Sequence, residues 1–113
     1  MPCLYITTNL KLDGIDTKNP IFSECTTAVS TIIGKPKRMV MVLLTSSVLV
    51  TLGGSNEPTA YAEIVSMGGI NSEVKKKLIE AIGNILETHL SIPTSRFFLK
   101  ISDIKKLSAN SKM

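Results

Sequence analysis

The chain has 113 residues, 43% of them hydrophobic and 19% charged, with a formal net charge of +4. That length suits one domain over 1–113, and that apolar content excludes disorder by composition. No apolar run approaches the roughly 18 residues of a membrane helix, and Met1-Pro2-Cys3-Leu4-Tyr5 lacks the basic start and long apolar stretch of a secretion signal. Cys3 and Cys25 form no Cys-x-x-Cys, so they read as two reduced, buried thiols of an intracellular protein. Lys35, Lys37 and Arg38 make one basic cluster, and Lys75, Lys76 and Lys77 another. Neither is interleaved with aromatics, so a solvated basic face explains them better than a nucleic-acid interface. Excess positive charge steers small anions toward any cleft it lines.

Pro2 to Asn9 reads as a strand, with Leu4, Tyr5 and Ile6 followed by two threonines. A helix is expected from Asn19 or Pro20. Asparagine caps well, and proline suits a first turn whose N–H groups lack partners anyway. Ile21, Cys25, Ala28, Val29, Ile32 and Ile33 form its apolar stripe, and Gly34 ends it. Met39 to Leu44 is an unbroken apolar run, as in a strand buried on both faces. Val48 to Leu52 is expected as a short edge strand, and the stretch from Gly53 to Pro58 as a loop. Ala60 to Ser66 is the next strand. A second helix from about Asn71 to Leu90 turns Val74, Leu78, Ile82, Ile85 and Leu86 inward, with His89 or Leu90. His89, the sole histidine, has no metal partners at suitable spacing and reads as structural, near a helix C-terminus. Phe97 to Ile101 is the last long strand.

The two halves repeat one pattern: strand, loop, helix, a short proline-containing linker with a basic residue, strand. The linkers are Gly34-Lys35-Pro36-Lys37-Arg38 and Ser91-Ile92-Pro93-Thr94-Ser95-Arg96. Strands joined through a helix run parallel with a right-handed crossover. The expected fold is α+β: two βαβ pseudo-repeats giving a four-stranded mixed sheet with two helices on one face. Those helices cover one face only. The other carries apolar residues from Met39 to Leu44, which makes it a surface for self-association.

Met1-Pro2-Cys3-Leu4, Gly34-Lys35-Pro36, Gly53-Gly54-Ser55-x-Glu57-Pro58, Ser66-Met67-Gly68 and Ser95-Arg96-Phe97-Phe98 together resemble the macrophage migration inhibitory factor and D-dopachrome tautomerase family. Each motif is weak alone; in series, over roughly residues 1 to 105, they are specific. The sequence looks closest to the plant members. The resemblance implies a homotrimer with active sites at subunit interfaces, and keto–enol tautomerisation of phenylpyruvate-like or dopachrome-like compounds. In animal members it also implies cytokine-like signalling.

The resemblance makes Pro2 the catalytic base. Removal of Met1 leaves a secondary amine. An ordinary α-amine titrates near pH 8, roughly, and burial with a nearby cation favours its neutral form. A neutral amine can then take a carbon-bound proton next to a carbonyl. Lys35 matches the family's substrate-binding lysine. Its other reading is a solvated cation at a helix C-terminus. Met67 matches a position whose backbone N–H contacts substrate; its side chain would otherwise be ordinary core. Phe98 stands where catalytic members carry tyrosine, and Lys100 where they carry an asparagine from the neighbouring subunit. Losing one donor to a developing oxyanion costs on the order of 3 kcal/mol, so weak phenylpyruvate turnover is expected. The family's Cys-x-x-Cys is replaced by Thr59-Ala60-Tyr61-Ala62, which removes a thiol–disulfide role.

No cofactor and no metal is implied. The expected partners are a second and third copy, a small anionic α-keto acid or enol, and, for a receptor-ligand role, another protein. The tail from about residue 105 is basic and expected to be flexible. It ends Ser111-Lys112-Met113, close to the Ser-Lys-Leu peroxisomal address, against which stands a cytoplasmic protein with a chance ending. Two functions follow. One is a Pro2-based isomerase. The other is a non-catalytic trimeric binding protein that keeps the fold as scaffold.

Overall fold

In the computed structural model, which describes residues 1–104, the strands and helices alternate in two matching halves. β1 (Cys3–Thr8) leads through α1 (Pro20–Ile33) to β2 (Met41–Thr45), and β3 (Ala60–Ser66) leads through α2 (Ser72–Leu90) to β4 (Phe97–Asp103). The sheet order is β2-β1-β3-β4. Each half pairs its strands in parallel, and β1 and β3 join the halves antiparallel. This is the expected four-stranded mixed sheet with two helices.

The helix ends follow from their capping residues. The Asn19 side chain accepts from the Ile21 N–H, Pro20 takes the first turn, and Gly34 closes α1 at φ 81 with its N–H on the Ser30 carbonyl. Asn71 caps α2 by accepting from the Val74 N–H. Ser91 closes α2 at φ 55, a left-handed position held without glycine. The repeat extends to backbone angles. Pro36 (φ −61, ψ 145) and Pro93 (φ −60, ψ 143) each open a single 3-10 turn, Lys37–Met39 and Thr94–Arg96, and each turn feeds the second strand of its half.

The core lies between the sheet and the helices. Leu4 and Ile6 of β1 and Ala60, Ala62 and Ile64 of β3 meet Ile21, Cys25 and Val29 of α1 and Leu78, Ile82 and Leu86 of α2. Each fully buried Leu or Ile contributes about 1.5–3 kcal/mol through loss of apolar surface from water. His89, expected to be structural, reaches across the helix layer, with Nε2 2.6 Å from Glu24 Oε2.

Several expectations are corrected. β2 starts at Met41 rather than Met39, because Lys37–Met39 is wound into the 3-10 turn. Val48 to Leu52 forms no strand; a lone bridge joins Leu52 to Ser55. Ser47 turns the chain at φ 58, Val48 donates to the Thr8 carbonyl, and beyond it the protomer offers no strand to pair with. β4 continues past Ile101 to Asp103, since it stays in register with β3 through Ser66. Cys25 is buried as expected, but Cys3 is only half-buried because it lies on the sheet face that no helix covers. Ser111, Lys112, Met113 and the rest of the tail lie outside the described residues. No described helix is long and apolar enough to cross a membrane.

Candidate functional site

Alternation along each strand sorts the side chains between two faces. The face away from the helices is built from three cross-strand rows. Met41, Cys3, Val65 and Ser102 form the first; Leu43, Tyr5, Glu63 and Lys100 the second; Thr45, Thr7, Tyr61 and Phe98 the third. Met41 is 50% exposed and Phe98 68% exposed, large values for residues of this kind on a sheet. This surface includes the apolar run whose second face was expected to require a cover.

Pro2, Lys35 and Met67 are brought to one end of this sheet. Pro2 is fully buried, and its carbonyl accepts from the Met41 N–H at 3.0 Å, which starts the β1–β2 ladder. Lys35 follows the α1 cap. Its N–H donates to the Ser30 carbonyl at 3.1 Å, while Ser30 Oγ donates to the Lys35 carbonyl at 2.6 Å, so its backbone is held from both sides. Met67 follows β3 directly, and its side chain is 38% exposed. Ser66 Oγ donates to the Gly68 carbonyl, and the Gly68 N–H donates to Asp103 Oδ1. Gly69, at φ +78, sits so close to Ile33 that a Cβ there would stand 2.9 Å from its Cγ2 and 3.1 Å from its carbonyl oxygen. That close approach packs the turn after β3 onto the end of α1.

Phe98 and Lys100 are elsewhere. Phe98 opens toward a cleft of about 460 Å³ lined by Val50, Leu52, Tyr61, Arg96 and Phe97 among others. Arg96 ties the cleft wall together. It donates to the carbonyls of Pro58, Ser55 and Glu57 and to Thr59 Oγ1, over 2.7–3.1 Å. Tyr61 donates its hydroxyl to Glu63 Oε1 at 2.9 Å. Sequence reasoning did not single out Tyr61, Glu63 or Arg96 as part of this surface. The signal for the first two was present as a period of two: Tyr61, Glu63 and Val65 alternate with buried Ala60, Ala62 and Ile64.

The structure therefore divides the expected site. From Pro2 to the row of Phe98 is about five residues along the strands, roughly 16 Å, and two strands across, roughly 10 Å. No side-chain rotation spans that separation. Within one protomer Phe98 and Lys100 therefore stand apart from Pro2, Lys35 and Met67.

Titration follows the same geography. The bond to Glu63 raises the Tyr61 phenol above its ordinary value, with burial adding to it. Hydrogen bonds with the Thr7 and Thr45 side chains lower Tyr5. Burial raises Cys3, and pushes Cys25 up to about 12, with the Glu24 charge contributing. Both are poor thiolates at neutral pH. Among the described residues, no group of three or more His, Cys, Asp or Glu side chains gathers where a metal ion would sit. With Met1 attached, the Pro2 nitrogen is an amide without base strength.

Comparison with known proteins gives a consistent result. The family model for macrophage migration inhibitory factor matches residues 1–112. The macrophage migration inhibitory factor homolog of Brugia malayi is 26% identical over 108 residues, covering 96% of this chain and 92% of that protein. The macrophage migration inhibitory factor of Xenopus laevis is 25% identical, covering 92% and 89%. Among solved structures, the homologue from Prochlorococcus marinus superposes with a TM-score of 0.82 at 26% identity, covering 89% of this chain and 87% of that one. The protein from Trichinella spiralis gives 0.81 at 25%, covering 89% and 88%.

Proposed function

The chain belongs to the macrophage migration inhibitory factor family, and from that premise we propose that it is a keto–enol tautomerase whose base is the amine of Pro2 after Met1 is removed. Its active sites lie between copies of a homotrimer. What supports this reading is the burial of Pro2 at the sheet end that also carries Lys35, just after the α1 cap, and Met67, just after β3. A buried amine beside a cation stays neutral at neutral pH and is available as a base.

The chemistry then runs as follows. Lys35 holds the carboxylate of an enolisable α-keto acid, and the Met67 N–H orients it. The Pro2 nitrogen takes the proton from the carbon next to the carbonyl. The C–H electron pair becomes the new C=C bond, and the carbonyl oxygen gathers charge and then a proton. Phe98 and Lys100 of the adjoining copy close the pocket, the first with a ring and the second with a donor. A phenylalanine at 98 supplies no hydroxyl to the developing oxyanion, so turnover of phenylpyruvate is weak. The uncovered Met41 and Leu43 on the sheet, and Leu49, 100% exposed in the loop after β2, support burial of these apolar residues by further copies.

Steady-state assays of wild type and Pro2→Gly on several enolisable acids test the proposal. The expected result is a Pro2-dependent rate that falls at least a hundredfold in the variant. Equal rates would overturn it. Intact mass of the native protein is expected to lack Met1. A second reading, a non-catalytic trimeric ligand for a receptor or an intracellular partner, is favoured by Phe98 standing where catalytic members carry tyrosine. It is distinguished by partner binding that survives Pro2→Gly. Ser111-Lys112-Met113 supports delivery to peroxisomes, tested by fusing the last ten or so residues to a fluorescent protein; diffuse cytosolic signal would favour the cytoplasmic alternative.

A further inference from the structure

Arg96 is a cation without a counter-charge. Its Nε donates to the Pro58 carbonyl at 3.0 Å. Its Nη2 donates to the carbonyls of Ser55 and Glu57, each at 3.1 Å, and to Thr59 Oγ1 at 2.7 Å. All four acceptors are neutral oxygens. No carboxylate of a described residue comes within 4.0 Å of the guanidinium. A guanidinium is planar and holds five N–H donors in a fixed fork. Its Nε–Nη2 edge is turned to the segment from Ser55 to Thr59, which leaves Nη1 with two donors and no partner among the described residues. Arg96 is half-buried and lines the cleft of about 460 Å³, where it is the one charged residue among the described lining.

The rest of that lining is mainly apolar: Val50, Leu52, Ala60, Phe97 and Phe98. A half-buried charge held only by neutral dipoles attracts an anion, and apolar surroundings strengthen the attraction. The apolar wall adds a second requirement, a body that takes it out of water. An inorganic anion meets only the first, and a dianion would leave one charge unpaired. The volume lies within the roughly 300–1,000 Å³ of small-molecule sites. We propose that this cleft is a second ligand site that takes an amphipathic monoanion, with a carboxylate on Arg96 Nη1 and a hydrocarbon body against Phe97, Phe98 and Leu52. The ligand needs no keto group. Neither Pro2 nor Lys35 takes part, because both lie at the other end of the sheet. The site therefore stands apart from the tautomerase reading.

Calorimetry with decanoate and its neutral counterpart decanol, both below the concentration at which they self-associate, tests this. Wild type is expected to bind decanoate at least about tenfold more tightly than decanol, the worth of one charge-assisted hydrogen bond. Arg96→Gln should bring decanoate down to the level of decanol. Arg96 also fastens the loop, so a second variant leaves it in place: Leu52→Trp fills the cleft from a residue 41% exposed and should weaken both probes. Lys35→Met and Pro2→Gly should bind decanoate as wild type does. A wild type that binds no decanoate, as when a neighbouring copy already fills the cleft, would overturn the proposal. So would equal affinity for decanoate and decanol, full binding in Leu52→Trp, or loss of decanoate in Lys35→Met. Full turnover in Pro2→Gly sinks the catalytic reading alone and leaves this site untouched.

Discussion

Pro2 and Phe98 lie at opposite ends of one sheet. Pro2 precedes Cys3, which pairs with Val65 near the end of β3, whereas Phe98 pairs with Tyr61 near its start. The two βαβ halves meet antiparallel, so the N-terminal end of β1 and that of β4 point in opposite directions. The proposed trimer would bring the two ends together by setting unlike ends of neighbouring copies against each other.

Shared sites can be rebuilt from two defective chains. Pro2→Gly and a Phe98→Ala/Lys100→Ala double variant are each expected to lose most of the turnover. Refolded together in equal amounts, they should regain about a quarter of the wild-type site number, since each site draws independently on two copies. Turnover of the mixture no greater than that of either variant would place the whole site within one chain.

Restoring the missing hydroxyl should raise the rate. Phe98 is 68% exposed, so a phenol oxygen fits there without repacking the core. Phe98→Tyr is expected to increase kcat on phenylpyruvate by up to about a hundredfold, the value of one well-placed donor, with KM changed less. Steady-state kinetics on the purified variant checks this.

The fold was legible where local chemistry sets it. Asn19 with Pro20, and Gly34, bounded α1 correctly because caps act over one turn. β3 was readable end to end, between Pro58 and Gly68. Val48 to Leu52 misled for a physical reason: its residues favour strands, yet a strand exists only against a partner strand, and the protomer supplies none there. The placement of the site residues follows from cross-strand register, which no single stretch of sequence encodes. Hence Glu63 beside Lys100, and Glu24 beside His89 from 65 positions away, emerged only in three dimensions.

Ser91 offers a stabilising change. It occupies the left-handed position after α2 at φ 55, where its Cβ crowds the backbone, while Gly34 fills the matching place after α1. Its side chain is exposed, and the useful bond is made by its N–H to the Glu87 carbonyl at 3.1 Å, which glycine retains. Ser91→Gly is expected to stabilise by about 1 kcal/mol, net of the extra freedom glycine has when unfolded. In a chain of this size that raises Tm by about 4 °C or somewhat more. A melting curve at fixed protein concentration measures it; a lower Tm would show that the strain is relieved elsewhere.

Cys25 should make the protein sensitive to alkali in a way that one substitution isolates. Its thiol is buried against the core and pushed up to about 12 from an ordinary 9.0, chiefly by burial. The folded state therefore keeps a proton that the unfolded state loses above pH 9. Stability falls with pH wherever the folded state binds more protons. The contribution is whole below pH 9 and declines as pH rises toward 12, by about 1.4 kcal/mol per unit for one proton. Cys25→Ala removes the titrating group and leaves a small cavity, costing about 1–2 kcal/mol at neutral pH. Every other ionisable group is common to both proteins and cancels in the difference. Denaturant unfolding at pH 8, 9.5 and 10.5, at one protein concentration, should show the wild-type advantage shrinking and then reversing. A constant difference across that range would mean that the folded thiol ionises as readily as the unfolded one.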